Sequence, residues 1–241
     1  MKEVITGNGK IIRACGLEGS GCSLPAGQVG GDFFEFISCD ERTVFAAIGD
    51  VMGKGFHAAR LMETIRQMLR ECVRINPHPL EVVRRLNKVG GCELRKCGAF
   101  ATLCLLCYDG IAGRLTCVNA GHHPPFLLTD GKVKVARCRG VALGLLEDYL
   151  GSGAEEFFLA AGDGVVLYTD GLVEACGPGE ERYGQERLKE MVRLQYGADA
   201  DRMKQNILSD LETFTRGFSQ KDDVTLVVMK VMGKAGERGG D

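Results

Sequence analysis

The stretch Thr43-Val44-Phe45-Ala46-Ala47-Ile48-Gly49-Asp50-Val51-Met52-Gly53-Lys54-Gly55 carries the main structural information in this chain. Val44 to Ile48 is apolar at every position, the pattern of a strand covered on both faces rather than one. The apolar run ends at a carboxylate, Asp50, and glycines follow at 53 and 55. Beyond them Ala58, Leu61, Met62, Ile65, Met68, Leu69 and Cys72 recur at intervals of three and four, while Arg60, Glu63, Arg66, Gln67 and Arg70 fall outside that stripe. This spacing predicts a one-faced helix over 57–73. A doubly covered strand followed directly by an amphipathic helix implies layers, with helices lying on a sheet.

Working outward, strand signals dominate. They predict strands at 10–17, 32–37, 43–48, 101–108, 114–119, 126–129, 133–136, 155–159, 165–169 and 224–231. A second helix is expected from Pro79 to Val89, with proline suited to a first turn, and two more at 186–194 and 200–214. Strands, two helices, a long series of strands, two helices and a last strand do not make a regular βαβ alternation. The order fits an α+β fold of stacked antiparallel sheets covered by helix pairs. The loose stretches are the segment from Cys176 to Glu181 and the glycine-rich tail from Gly233. The expectation is therefore one domain over residues 1–232 and a flexible tail over 233–241.

The bulk numbers agree with a globular domain. The chain has 241 residues, 45% hydrophobic and 26% charged, enough apolar material for a sizeable core. A formal charge of −2 supplies no basic field for nucleic acid or an anionic membrane. No apolar run reaches the roughly 18 residues of a membrane span, and the first residues lack the apolar core of a signal peptide. The expected compartment is the cytoplasm. Eleven cysteines then read as small buried hydrophobes rather than a disulfide framework. The C-x-x-C pair Cys104 and Cys107 lies in a predicted strand, where residues three apart face opposite sides and cannot share a metal.

The chemistry points to aspartates. Gly164-Val165-Val166-Leu167-Tyr168-Thr169 is a second apolar strand that ends on a carboxylate, Asp170. Gly30-Gly31-Asp32 precedes Phe33-Phe34, and Asp222-Asp223 precedes Val224-Thr225-Leu226. One aspartate at a strand end usually starts a turn. Four acidic spots beside buried strands, two of them set among glycines, instead suggest carboxylates that need cations to coexist. Hard oxygen donors without a His or Cys cluster favour Mg²⁺ or Mn²⁺ over zinc. Other chemistries fit less well. The Gly49–Gly55 loop is one residue short of a P-loop and carries Gly55 where Ser or Thr should hold Mg²⁺. Cys176 to Arg182 has the C-x5-R spacing of a cysteine-dependent phosphatase, yet Glu180 and Glu181 would repel a phosphate and raise the thiol pKa.

Five motifs in order carry a resemblance: Val29-Gly30-Gly31-Asp32-Phe33-Phe34-Glu35-Phe36, Ala47-Ile48-Gly49-Asp50-Val51-Met52-Gly53-Lys54-Gly55, Val118-Asn119-Ala120-Gly121-His122-His123-Pro124-Pro125, Tyr168-Thr169-Asp170-Gly171-Leu172 and Asp222-Asp223-Val224-Thr225-Leu226. Together they resemble the bacterial sporulation stage II E-type phosphatases, within the metal-dependent PPM (type 2C) serine/threonine phosphatases. The resemblance implies an α-β-β-α sandwich of two mainly antiparallel sheets, with two Mn²⁺ or Mg²⁺ ions at one edge. It implies Asp50 as bridging ligand, the Val51 carbonyl completing one shell, Asp170 serving the second metal, and Asp32 reaching the metals directly or through water. It favours Asp222 as a ligand, with Asp223 as second choice. Asp50, Asp170 and Asp222 would form the catalytic set. His122 or His123 could protonate the leaving oxygen, although the surrounding residues read first as a turn, and Arg13 matches a phosphate-gripping arginine only by rough position. The implied substrate is a phosphorylated protein, in the bacterial branch commonly a STAS-type antagonist in sigma-factor control. The motifs begin within thirty residues of Met1, so no fused input domain is expected. The rival to an enzyme is an inactive partner-binding member of the fold, which normally lacks the acidic ligands retained here.

Overall fold

A computed structural model describes residues 10–233; most of the expected tail, 234–241, lies outside them. Eleven strands form two sheets in which every pairing between named strands is antiparallel. β1 (Lys10–Ala14), β2 (Leu17–Leu24), β11 (Val224–Val231), β10 (Gly164–Tyr168), β7 (Phe126–Thr129) and β8 (Lys132–Val135) lie in that order in the first. β3 (Asp32–Ser38), β4 (Thr43–Val51), β5 (Ala101–Asp109), β6 (Arg114–Ala120) and β9 (Glu155–Phe158) make the second.

Three apolar clusters define the layers. Helices α1 (Gly55–Ile75) and α2 (Pro79–Lys96) cover the five-stranded sheet, with Leu61, Ile65, Leu69 and Leu86 packed among Phe45, Ala47, Leu103 and Leu105. The other faces of those strands, Val44, Ala46, Ile48 and Cys104, meet Leu127, Val165, Leu167 and Val227 between the sheets. On the far side α4 (Gln185–Leu194) and α5 (Ala200–Phe214) cover the six-stranded sheet through Leu188, Val192, Met203 and Ile207. The α-β-β-α sandwich is therefore present, and β4 is buried on both faces as its sequence requires. Cys104 faces the inter-sheet core and Cys107 the helix side.

Three local departures have packing causes. The predicted strand 10–17 is two strands, reversed by a turn with φ of 57° at Cys15 and 75° at Gly16. β2 itself, Leu17-Glu18-Gly19-Ser20-Gly21-Cys22-Ser23-Leu24, carries no branched signal because phenylalanine rings of β3 fill its inner face. A Cβ on Gly19 would lie 2.8 Å from the Phe36 ring, and one on Gly21 2.6 Å from Phe34. Helix α2 runs seven residues past Val89, through Gly90 and Gly91. There a Cβ on Gly90 would meet Ile65 of α1 at 2.8 Å, so this glycine allows close helix contact rather than ending the helix. Finally, Asp170 opens a one-turn helix, α3 (Asp170–Val173), that the strand pattern does not announce.

Candidate metal centre

Strand register brings the acidic residues to one edge of the sandwich. Asp32, first in β3, stands opposite Asp50, next to last in β4. In the other sheet Tyr168 pairs with Leu226, and the Thr169 N–H donates to the Thr225 carbonyl, so Asp170 leaves β10 beside the start of β11. Asp222 and Asp223 immediately precede that start. Thr169 ties the sheets together: its hydroxyl donates to Asp32 Oδ2 at 2.7 Å and accepts the Thr225 N–H at 2.9 Å.

The two aspartates at 222–223 are not equivalent. Asp223 spends both oxygens on the loop before β3: Oδ1 accepts from the Ala26 N–H, and Oδ2 from the Gly31 N–H, all at 2.8 Å. A Cβ on Gly30 would sit 2.0 Å from that same Oδ2, so only glycine fits there. Asp222 makes no bond to that loop: its Oδ1 accepts the neighbouring Asp223 N–H at 3.0 Å, and the side chain is 55% exposed beside Lys54, whose Nζ lies 3.6 Å away. Gly31 guards a different atom, because a Cβ there would lie 2.5 Å from the Val51 carbonyl oxygen. Gly53 and Gly55 act otherwise. Neither has a neighbour in tight contact, and their φ values of 110° and 70° show that they serve the turn.

Electrostatics mark the edge as starved of positive charge. The Asp50 pKa is raised to about 6, chiefly by burial and then by Asp170, Asp222 and Asp223, with Lys54 acting the other way. Asp32 is raised to about 8 by burial, with smaller contributions from Asp50 and Asp223 that the Thr169 hydroxyl opposes. Among the described residues no three His, Cys, Asp or Glu side chains close into a ready-made ion cage. A Mg²⁺-like ion does not require one, since it takes one or two carboxylates and keeps several waters. The all-oxygen donor set and the unrelieved carboxylates fit such ions.

A sequence profile described as Stage II sporulation protein E (SpoIIE) matches residues 40–232. The chain belongs to the SpoIIE family. It is 28% identical over 223 residues to the phosphoserine phosphatase RsbU of Bacillus subtilis (strain 168), covering 92% of this chain and 65% of RsbU. The solved RsbU and RsbW domains of a Mycobacterium tuberculosis protein align at TM-score 0.73 and 26% identity, over 89% of this chain and 60% of that one. The PP2C domain of SiaA from Pseudomonas aeruginosa aligns at 0.76 and 21%, over 87% and 85%. This SpoIIE-family chain thus spans about 65% of the length of RsbU and 60% of the Mycobacterium chain.

The other expected residues fare differently. His122 is buried, and its pKa is lowered to about 3 by desolvation first and then by His123. Its Nε2 faces the Tyr168 carbonyl at 3.2 Å, which requires an N–H there, so Nδ1 accepts from the Thr102 hydroxyl at 2.7 Å. Asn119 clamps its backbone from both sides. A neutral ring with both nitrogens engaged is no proton donor to a substrate. It is a tether between Thr102, the cross-strand neighbour of Asp50, and the residue two before Asp170. His123 stacks on Tyr168, with ring centroids 5.5 Å apart. Arg13 is excluded by register: it pairs with Glu18, Glu18 with Lys230 and Lys230 with Gly164, the end of β10 far from Asp170. Its guanidinium is bound to Glu18 at 3.0 Å. Arg182 is likewise taken, by Glu174 at 2.7 Å. The motifs contain Thr169 and Asn119 without assigning them a role, and Thr102 lies outside them, because isolated hydroxyls and amides carry no periodic signal.

Proposed function

We propose that this SpoIIE-family chain is a Mn²⁺- or Mg²⁺-dependent phosphatase acting on phosphoserine or phosphothreonine in a protein. The observation that carries the reading is the convergence of Asp50, Asp170 and Asp222 on one sandwich edge, with Asp32 buried beside them and Lys54 opposing their charge on Asp50. RsbU is named a phosphoserine phosphatase, and among solved structures of this fold RsbX is in complex with magnesium and the serine/threonine protein phosphatase PstP with two manganese ions.

In this reading Asp50, the Val51 carbonyl, Asp170 and Asp222 would hold two divalent ions. Asp32, buried and bonded to Thr169, would reach them directly or through water. Asp223 does not join them, since its oxygens are committed to the Ala26 and Gly31 backbone. The ions, when bound, supply an acidified water as nucleophile and neutralise phosphate charge. With His122 held neutral between Thr102 and Tyr168, the leaving seryl or threonyl oxygen takes its proton from solvent. The work of the fold is to keep acidic residues from two sheets in register, through Thr169 across the sheets and His122 behind them.

The substrate we infer is a STAS-type antagonist of sigma-factor control, met in the cytoplasm. Among the described residues no helix is long and apolar enough to cross a membrane. Residues 10–232 form one domain in this reading, and residues 1–9 of the expected span lie outside the described residues. The test is a screen of phosphorylated STAS proteins from the same genome with Mn²⁺, with Mg²⁺ and with EDTA. Release of phosphate from one of them, lost in EDTA but not after iodoacetamide, is expected. Activity that survives EDTA contradicts the metal reading, and no turnover of any STAS protein contradicts the substrate.

A further inference from the structure

A phosphomonoester arrives as a dianion, and even beside two metal ions it needs a fixed positive group to hold its outer oxygens. Several other cations are already paired or lie away from the acidic edge. Arg13 lies at the far end of its sheet on Glu18, and Arg182 is held by Glu174. Arg66 and Arg70 are bound to the buried Glu35. Lys221 turns its Nζ toward Cys176 Sγ, 3.8 Å away.

Lys54 is different in three ways. Its position is set by the metal-site loop itself: four residues after Asp50, between Gly53 and Gly55 at positive φ, and at the cap of α1. Its ammonium already stands at the site, 3.6 Å from Asp222 Oδ1 and donating to the Lys221 carbonyl at 2.9 Å. Yet the side chain is 70% exposed, and it borders a cleft of about 440 Å³ with Gly30, Phe56, Gln220 and Asp223. A lysine on a four-carbon stem can swing between two anionic partners with little strain. Its present attraction is to Asp222, a carboxylate that also accepts the Asp223 N–H. Any cation taken up by Asp222 weakens that attraction, and an incoming phosphate dianion then becomes the stronger partner.

We propose that Lys54 is the substrate-binding residue that grips the phosphate of the phosphoserine or phosphothreonine, exchanging its contact with Asp222 for one with the phosphate oxygens. The inference rests on the phosphatase reading. The experiment uses the whole chain loaded with Mn²⁺, titrated calorimetrically with orthophosphate, and assayed with p-nitrophenyl phosphate and a phosphoserine peptide. Lys54→Ala is expected to weaken orthophosphate binding about tenfold, the loss of one charge-assisted contact. It should raise KM for both substrates by a similar factor, with Mn²⁺ affinity unchanged or tighter, because a competing charge beside Asp222 is gone, and with the thermal midpoint unchanged; Lys54→Arg should recover most of the loss. Unchanged orthophosphate affinity in Lys54→Ala overturns the proposal. So does a fall in Mn²⁺ affinity large enough to account for the lost activity, because Lys54 would then act on the carboxylates alone. Wild-type protein that binds Mn²⁺ and hydrolyses neither substrate would instead sink the phosphatase reading, and the two failures are separate.

Discussion

Asp32 and Glu35 sit three residues apart on β3, both buried, and they are treated in opposite ways. The Glu35 carboxylate is fully enclosed and accepts from both Arg66 and Arg70 of α1, including Arg70 Nη2 at 2.7 Å and Arg66 Nε at 2.9 Å. Asp32 has no cation: it meets the hydroxyls of Thr169 and Thr225 and the acids Asp50 and Asp223. A buried carboxylate with two guanidiniums is balanced, and its role is to fasten α1 to the sheet. A buried carboxylate among other carboxylates is unbalanced and waits for a cation from outside. The contrast separates a structural acid from a candidate metal-site acid within a single strand.

The sharpest way to break the comparison is to neutralise one acid on each side. Asp50→Asn should abolish metal-dependent hydrolysis, a loss of at least about a thousandfold or ~4 kcal/mol of barrier. The same change should leave the metal-free fold as stable as before or more so, because it removes one repelling charge; circular-dichroism melts in EDTA provide the check. Full activity in Asp50→Asn would sink the assignment. Glu35→Ala should do the reverse, costing about 3–5 kcal/mol in denaturant unfolding by stranding two arginines, while turnover per folded molecule persists. A stable, inactive Glu35→Ala would erase the distinction.

A smaller effect concerns His122. Its native pKa, about 3, lies below the ordinary 6.5. Below pH 6.5 the unfolded chain therefore takes up a proton that the native ring refuses, and this contribution to stability is lost as pH falls, at about 1.4 kcal/mol per unit. In metal-free protein the raised Asp32 and Asp50 act with opposite sign, gaining native stability as pH falls through about 8 and 6. The informative quantity is thus wild type minus His122→Asn between pH 6.5 and 4, which should decline with acid; a flat difference would contradict the neutral tether. The smallest effect belongs to Arg13→Ala, which should leave KM for a phosphoserine peptide unchanged, since Arg13 lies at the wrong end of its sheet.

Much of this was legible before any coordinates. The apolar stripe of α1 and the doubly buried Val44–Ile48 run follow from periodicity, and periodicity is what layers a fold. The acidic positions were legible because each interrupts such a run. What escaped is long-range shape. Gly19 and Gly21 look like a break in β2 until the phenylalanines of β3, which need their space, are set against them. Gly90 looks like a helix stop until Ile65 of α1 arrives beside it. Residue pattern alone does not tell Asp222 from Asp223; the resemblance favours the first, and the Ala26 and Gly31 amides commit the second elsewhere. His122 reads as part of a turn, and it becomes a tether only once the Thr102 hydroxyl and the Tyr168 carbonyl converge on its ring.

The central claim is that the Asp50 edge is a site for divalent cations rather than a solvated acidic rim. The most direct measurement is calorimetric titration of the metal-free chain with Mn²⁺, alongside Asp50→Asn and Asp170→Asn. Saturable uptake of two ions by the wild type, with a raised thermal midpoint and loss of that uptake in both variants, is the predicted result. No saturable binding, or binding indifferent to both substitutions, would contradict the account.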